Sequence, residues 1–247
     1  RRAGRRALHS PGSQSALLMQ LFRWFNSHGH WFRLLVFITS GLPALVLLWN
    51  ILRHQLGYNP FETLMARTGF WSMVFLIITL AITPLRRWLS FLCKILHRRY
   101  GKRLADWNFL IRSRRMLGLY SLFYLSWHAA IYLHLELNWQ GQWLWQDLQE
   151  RPFLVAGLAG WCLSLLLGVT SPMVLRRKLG KRWRQLHRAM YALSILAVIH
   201  VLLEAKLGER EAPVYAALVG VLLMHRVLVN SIKRWQRSDD NGLEAKR

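Results

Sequence analysis

The segment KRWRQLHRAMYALSILAVIHVLL, residues 181–203, organises the rest of the chain. It begins with basic residues and continues as an apolar stretch, with His187 near one end and His200 near the other. At a helical rise of about 1.5 Å per residue, the two imidazoles would lie roughly 20 Å apart along the axis. This length and apolarity predict a transmembrane helix. Because histidine is costly at membrane depth, its presence there indicates a functional site.

The composition indicates a membrane protein with several spans. Of the 247 residues, 53% are hydrophobic and 13 are tryptophan, yet the net charge is +23. Apolar spans alternating with basic loops account for both properties. The basic residues adjoin the apolar spans, where they set topology, so the lipid bilayer is the expected partner and nucleic acid is not. The two cysteines form no CxxC motif, which argues against zinc, iron–sulfur clusters and covalently attached haem.

Six apolar segments predict an all-α bundle of six transmembrane helices. The spans are about Trp31–Leu52, Gly69–Leu85, Met116–Leu137, Pro152 to the Ser171-Pro172 pair, the apolar part of 181–203, and Val214–Ile232. We expect Pro43 to kink the first span and Pro84 to help close the second. A Trp-rich segment follows the third span, and we expect it to lie along the membrane interface.

The loops differ in charge, and this difference predicts orientation. Residues 86–115 carry ten Arg or Lys, and residues 176–188 carry seven and no acid. The loops after the first, third and fifth spans are not strongly basic. The positive-inside rule therefore places both termini in the cytoplasm. We further expect a disordered basic extension over 1–18, a transmembrane domain over 19–235 and a polar tail over 236–247.

Matched depth pairs two histidines. His128 lies 14 residues beyond Arg114 in the third span, and His200 lies 13 residues beyond His187 in the fifth. Both spans run outward, so His128 and His200 are predicted to lie at similar height in the outer half of the membrane. A single intramembrane histidine is a packing residue about as often as it is a functional one. Two histidines at equal depth favour binding of a shared metal. The hypothesis is a b-type haem held non-covalently.

His187 is placed near the cytoplasmic surface, where it could hold a second haem, although the sequence shows no partner for it. Thirteen residues rotate a helix by some 220°, so His187 and His200 cannot share one face of an ideal helix. A local bulge or two different neighbours would be required. His134 and His225 are interpreted as interfacial or packing residues. The arginines of 112–115 and 176–184 are interpreted as topology determinants, with anchoring of haem propionates, a quinone head group or a flavin phosphate as the alternative.

The sequence resembles a known family in three segments. These are LGKRWRQLHRAMYALSILAVIH (179–200), LIRSRRMLGLYSLFYLSWHAAIYLHLEL (110–137) and ARTGFWSMVFLIITLAITPL (66–85). They resemble MsrQ, formerly YedZ, the haem-binding membrane subunit of the bacterial MsrPQ methionine-sulfoxide reductase system. That family belongs with the ferric-reductase-like transmembrane domains. The resemblance covers about residues 20–235.

The resemblance implies a function. Family members take electrons from the quinone pool, or from a cytosolic flavin reductase, and pass them through haem b to MsrP, a periplasmic molybdopterin enzyme that repairs oxidised methionine. It implies haem ligands at His128, His187 and His200, an FMN with no identifiable site here, and a bacterial inner-membrane location. The chain would then be a non-catalytic electron-transfer subunit, with substrate chemistry in a separate partner.

Two other functions remain open from the sequence. The first is a transmembrane ferric or quinone reductase that acts on its own. The second is a transporter or membrane scaffold with incidental histidines. Activity towards ferric chelates without a partner would favour the first, and a purified protein lacking a Soret band would favour the second.

Overall fold

The computed structural model describes residues 27–97, 101–205 and 210–244, together with Gln20 and Trp24. The predicted extension over 1–18 lies outside the described residues. The helices are α1 (Gly29–Leu52), α2 (Pro60–Ile95), α3 (Asn108–Ile131), α4 (Gly141–Glu150), α5 (Pro152–Val169), α6 (Met173–Leu186), α7 (Met190–Glu204) and α8 (Glu211–Glu244). Short 3₁₀ turns cover Leu104–Trp107 and His187–Ala189, and a π turn covers Tyr132–Glu136.

Among the described residues, six stretches of helix are long and apolar enough to cross a membrane, which confirms the predicted all-α bundle. These stretches are Gly29–Leu52, Pro60–Ile95, Leu104–Glu136, Pro152–Val169, Met173–Glu204 and Glu211–Ile232. Large apolar side chains such as Leu45, Val169 and Val221 are more than half exposed, whereas several Ser and Thr side chains are buried between helices. This pattern is typical of a bundle that faces lipid and packs through small polar residues.

Two pairs of helices carry most of the packing, α2 on α3 and α5 on α7. In the first pair, Ser72 and Ser121 each donate a hydroxyl hydrogen bond to the other's carbonyl, at 3.2 and 2.9 Å. Helix α1 packs on α3, α8 packs on α7 and α2, and α5 joins the two halves by also packing on α3. The amphipathic helix α4 lies within the Trp-rich segment and packs on α5.

The second membrane helix is longer than predicted at both ends. It begins at Pro60 because Asn59 caps it: the Asn59 side chain accepts a hydrogen bond from the Glu62 amide at 3.2 Å. Asn followed three residues later by Glu, with Pro at the first helical position, is a helix-start signal. Residues 60–68, which lie between the first and second predicted spans, are therefore helix.

The prediction that Pro84 helps to close this helix is wrong, since α2 continues to Ile95. Proline has no N–H, so the carbonyl of Leu80, four residues earlier, loses its usual helical partner. Arg226 of α8 donates to this carbonyl at 3.1 Å and to the Thr83 hydroxyl at 3.4 Å. A side chain that is distant in sequence thus hydrogen-bonds the Leu80 carbonyl, and the helix continues past Pro84.

The segment 181–203 differs from the single continuous α-helix that its sequence predicts. Gly180, just before it, adopts φ 51°; residues 181–186 complete α6, a 3₁₀ turn covers His187–Ala189, and α7 begins at Met190. His187 therefore lies in a turn between two helices, whereas His200 lies within α7.

Beside Pro43, a side chain of α3 also bonds to backbone groups of α1. The buried Tyr124 hydroxyl donates to the Ser40 carbonyl at 2.8 Å and accepts from the Ala44 amide at 3.0 Å. An ideal helix pairs those two backbone groups with each other, so the tyrosine is inserted into the hydrogen-bond ladder beside the proline.

Replacing Tyr124 with phenylalanine is expected to lower the free energy of unfolding by about 1–3 kcal/mol, because two backbone groups lose their partner at membrane depth. Thermal unfolding in detergent would measure this loss. Tyr120→Phe is the matched control: its hydroxyl makes one bond, to the Phe37 carbonyl, at a more exposed position. Equal losses in the two variants would contradict the bridging role.

Candidate functional site

The structure places the His128 and His200 side chains close together, as predicted from their similar depth. Their ring centroids lie 6.3 Å apart, and their planes are nearly perpendicular, at 89°. Helices α3 and α7 both pack on α5 but do not pack closely on each other. The two rings therefore meet in the space between these helices.

Each of the two imidazoles is held by a backbone carbonyl. The Nδ1 atom of His128 lies 3.1 Å from the Met65 carbonyl oxygen, and that of His200 lies 2.8 Å from the Phe153 carbonyl oxygen. A carbonyl can only accept, so both Nδ1 atoms carry the proton and both Nε2 atoms keep a free lone pair. Within the described part of the chain, neither Nε2 has a hydrogen-bond partner. This is the protonation pattern that a metal-binding histidine needs.

Small and buried residues make room for the rings. A Cβ on Gly157 would lie 2.8 Å from the His200 Nδ1, and one on Gly69 would lie 3.3 Å from the His128 Cε1. The Thr68 hydroxyl, which is fully buried, donates to the Leu64 carbonyl at 2.7 Å and lies 3.3 Å from the His128 Nδ1. Helices α2 and α5 thus approach the histidines closely and fix their orientation.

The structure does not bring His187 to this pair. Its ring stacks on Trp183 at 4.1 Å, and its Nε2 lies 3.2 Å from the Thr170 hydroxyl. Because that hydroxyl donates to the Leu166 carbonyl at 2.8 Å, the His187 Nε2 is the donor to it. His187 and His200 therefore have different neighbours, which was one of the two solutions expected from the sequence.

The remaining intramembrane histidines differ from the pair. His134 accepts a hydrogen bond from the Trp139 Nε1 at 3.0 Å, near the end of the third span. The Nδ1 of His225 is buried and has no hydrogen-bond partner in the described ranges. Neither ring contacts another histidine there.

The pair could hold one metal ion between them. Bonds from a metal to an imidazole nitrogen are about 2.0–2.1 Å long, so two rings bound to the same metal from opposite directions would have centroids roughly 6 Å apart, close to the spacing found here. No group of three or more His, Cys, Asp or Glu residues is placed to hold a metal in the described part of the chain. The two nitrogens therefore suit a metal whose other ligands come from a cofactor.

Sequence reasoning missed the groups that hold the rings. The carbonyls of Met65 and Phe153 have no sequence signature, since any residue supplies one. Thr68 and Gly69 lie within the segment 66–85 that carries the family resemblance, but they were given no role. Gly157 lies in an apolar span where a glycine is unremarkable by composition.

The six candidate membrane helices of the described residues belong to a known class of membrane protein. Residues 68–198 match the family described as "Ferric reductase like transmembrane component". This match runs from the second span into the fifth; it includes His128 and ends two residues before His200.

Comparison with curated relatives identifies the family within this class. Over 213 residues the chain is 36% identical to the MsrQ subunit of Herminiimonas arsenicoxydans, covering 85% of this chain and 88% of the relative. It is 33% identical over 203 residues to that of Rhodospirillum rubrum (82% and 89%) and 36% identical over 195 residues to that of Bordetella pertussis (78% and 87%). Each of these relatives is named as the haem-binding subunit of a protein-methionine-sulfoxide reductase. The chain belongs to the MsrQ family.

Proposed function

We propose that this chain binds haem b between His128 and His200 and transfers electrons across a membrane to a separate methionine-sulfoxide reductase. The observation that carries this proposal is the 6.3 Å spacing of the two rings, with both Nε2 atoms free of hydrogen bonds in the described residues. The relatives' haem-binding role supports the choice of cofactor.

The chain's own residues would prepare the site for this cofactor. The Met65 and Phe153 carbonyls hold the two imidazoles in the Nδ1–H form, which leaves Nε2 as the ligand atom and raises its basicity. Haem held by two histidines supplies one-electron transfer and leaves no open position for a substrate. Sulfoxide reduction therefore belongs to a partner, and the chain is a non-catalytic subunit.

The proposal also includes the electron acceptor and the electron donor of this chain. We infer a periplasmic MsrP as acceptor and the quinone pool, or a cytosolic flavin reductase, as donor. The basic segments 86–115 and 176–188 support an orientation with both termini cytoplasmic. The bacterial inner membrane as location rests on the family resemblance. His187 remains a predicted ligand for a second haem on this basic side, and FMN rests on the family resemblance.

Reconstitution would test the function. We expect the purified chain to show a Soret band and to be reoxidised by a purified periplasmic MsrP only when methionine sulfoxide is present. Turnover of ferric chelates at a comparable rate without MsrP would instead favour a reductase that acts on its own. A colourless protein after expression with ample haem precursor would favour a transporter or scaffold.

A further inference from the structure

The paired histidines lie on two helices that do not pack closely on each other, and α5 packs on both of these helices. His200 is bonded to α5 directly, because its Nδ1 lies 2.8 Å from the Phe153 carbonyl oxygen. His128 is bonded to α2 instead, through the Met65 carbonyl at 3.1 Å. The position of His128 relative to His200 therefore depends on the contacts that join α3 to α5.

Tyr132 joins the end of α3 to the interfacial helix α4. It lies four residues beyond His128, one helical turn further along the same face, and its amide donates to the His128 carbonyl. The Tyr132 hydroxyl donates a hydrogen bond to the Asp147 carboxylate of α4. The turn of helix that carries His128 is thus bonded to Asp147 through this tyrosine.

Asp147 is bonded in turn to the residue that precedes α5. Its other carboxylate oxygen lies 3.7 Å from the Arg151 Nε, and its backbone carbonyl accepts from the Arg151 amide at 2.8 Å. Phe153, whose carbonyl holds His200, is the second residue of α5. The Asp147 side chain is only 16% exposed, so the charge of its carboxylate is largely shielded from water and needs its tyrosine and arginine partners. One carboxylate therefore connects the end of the helix that carries His128 to the start of the helix that holds His200.

A second polar contact joins α3 to α5 on the other side of His128. The Trp161 Nε1 of α5 donates to the Ser126 hydroxyl at 3.1 Å, two residues before His128. His128 therefore lies between two bonded points, Ser126 and Tyr132, at which its helix is held relative to α5. Loss of the second point would leave the end of α3 free to shift beside α5 at the level of the histidine pair.

We propose that Tyr132 and Asp147 are positioning residues, which set the orientation of the His128 ring relative to the His200 ring. Among the described residues, neither side chain makes a hydrogen bond to an imidazole, so both act through the backbone of α3 and of the junction between α4 and α5. The inference rests on the proposed haem-binding function, because the ring orientation matters for electron transfer only if both rings bind one iron.

The full chain, purified with haem, tests the proposal through its haem affinity and the electron paramagnetic resonance spectrum of its ferric form. This spectrum depends on the angle between the two imidazole planes, so it reports ring orientation and not the stability of the fold. Tyr132→Phe keeps the aromatic ring and removes the hydrogen bond, and Asp147→Ala removes the hydrogen bond and the ion pair. In each variant we expect a changed spectrum and a rise of about tenfold in the haem dissociation constant, the lower end of the range for groups that orient metal-binding histidines.

A double variant tests whether the two side chains act through one contact. Tyr132→Phe/Asp147→Ala is expected to have the haem affinity of Asp147→Ala alone, since the hydrogen bond between the two side chains is already absent from that single variant. A further loss of affinity equal to that of Tyr132→Phe would show that the two residues act independently and would overturn the proposal.

Glu150→Gln and Asp147→Asn separate position from charge, since each removes one negative charge from α4. Glu150 is exposed and accepts from Gln146 of the same helix at 2.9 Å, so Glu150→Gln is expected to behave as wild type. Asp147→Asn keeps an oxygen that can accept from Tyr132 and loses the ion pair, so its affinity should fall between those of wild type and Asp147→Ala.

The proposal is overturned if Tyr132→Phe and Asp147→Ala lower the melting temperature but keep the wild-type affinity and spectrum, as purely structural contacts would. If neither variant folds, the milder Asp147→Asn decides: a spectrum and affinity equal to those of Glu150→Gln overturn the proposal, and a difference supports it. A wild-type protein that binds no haem would instead refute the proposed function, and this inference with it.

Discussion

Replacing either His128 or His200 with alanine is expected to remove the same haem, with haem per polypeptide falling about tenfold or more. The two ring centroids lie 6.3 Å apart, so in the proposed site each histidine would supply one ligand to the same haem iron. Loss of a group that only hydrogen-bonds a metal-binding histidine lowers metal affinity 10–100-fold, and loss of the histidine itself should lower it at least as much. Oxidised-minus-reduced spectra, with protein measured independently, would give the ratio.

His187→Ala is the matched comparison for this pair. Its ring contacts Trp183 and Thr170 and not the paired histidines, so the absorbance lost in the other two variants should persist. The double variant His128→Ala/His200→Ala should lose no more haem than either single change. Full haem content in both single variants would show that the pairing is wrong.

Replacing Gly157 with alanine is expected to reduce haem affinity by about 10–100-fold without touching a ligand. The added Cβ would lie 2.8 Å from the His200 Nδ1, which is too close for either group to stay in place. Moving the ring would break its 2.8 Å hydrogen bond to the Phe153 carbonyl and turn the Nε2 away from its partner ring. Haem titration of the purified apoprotein would measure the change.

Gly160→Ala, on the same helix, provides the control. Its added Cβ would meet Leu193 at 3.7 Å and Leu196 at 3.8 Å, which are ordinary contact distances. Both substitutions favour helix formation equally, so the difference between them isolates the effect on His200. Equal haem affinity in the two variants would contradict the positioning argument.

The spans and the histidine pair could be predicted from sequence because both follow from distance along a helix. Apolar length locates each span, and residue counts from the basic segments give depth. Helix boundaries were less accurate. The start of α2 at Pro60 follows from the local Asn59 cap, whereas its passage through Pro84 depends on Arg226, which lies more than a hundred residues away in sequence.

The contacts that orient the site could not be predicted in this way. The Met65 and Phe153 carbonyls lie 63 and 47 residues from the histidines they hold, and backbone groups are alike at every position. The His187 ring is similarly hydrogen-bonded to Thr170, which directly follows α5 and lies 17 residues away in sequence. Such details follow from how the helices pack, and depth along each helix does not determine that.

The bond from Arg226 to the Leu80 carbonyl has a consequence for biosynthesis. The ribosome completes the second span more than a hundred residues before it reaches Arg226. The Leu80 carbonyl, which lacks a helical partner because of Pro84, therefore has no hydrogen bond from Arg226 until α8 has been made. A chain cut before α8 would keep its histidine pair but leave this carbonyl without its arginine. We expect quality-control proteases to degrade such a truncated protein faster than the full-length one. Stability against these proteases would then depend on completion of the last helix.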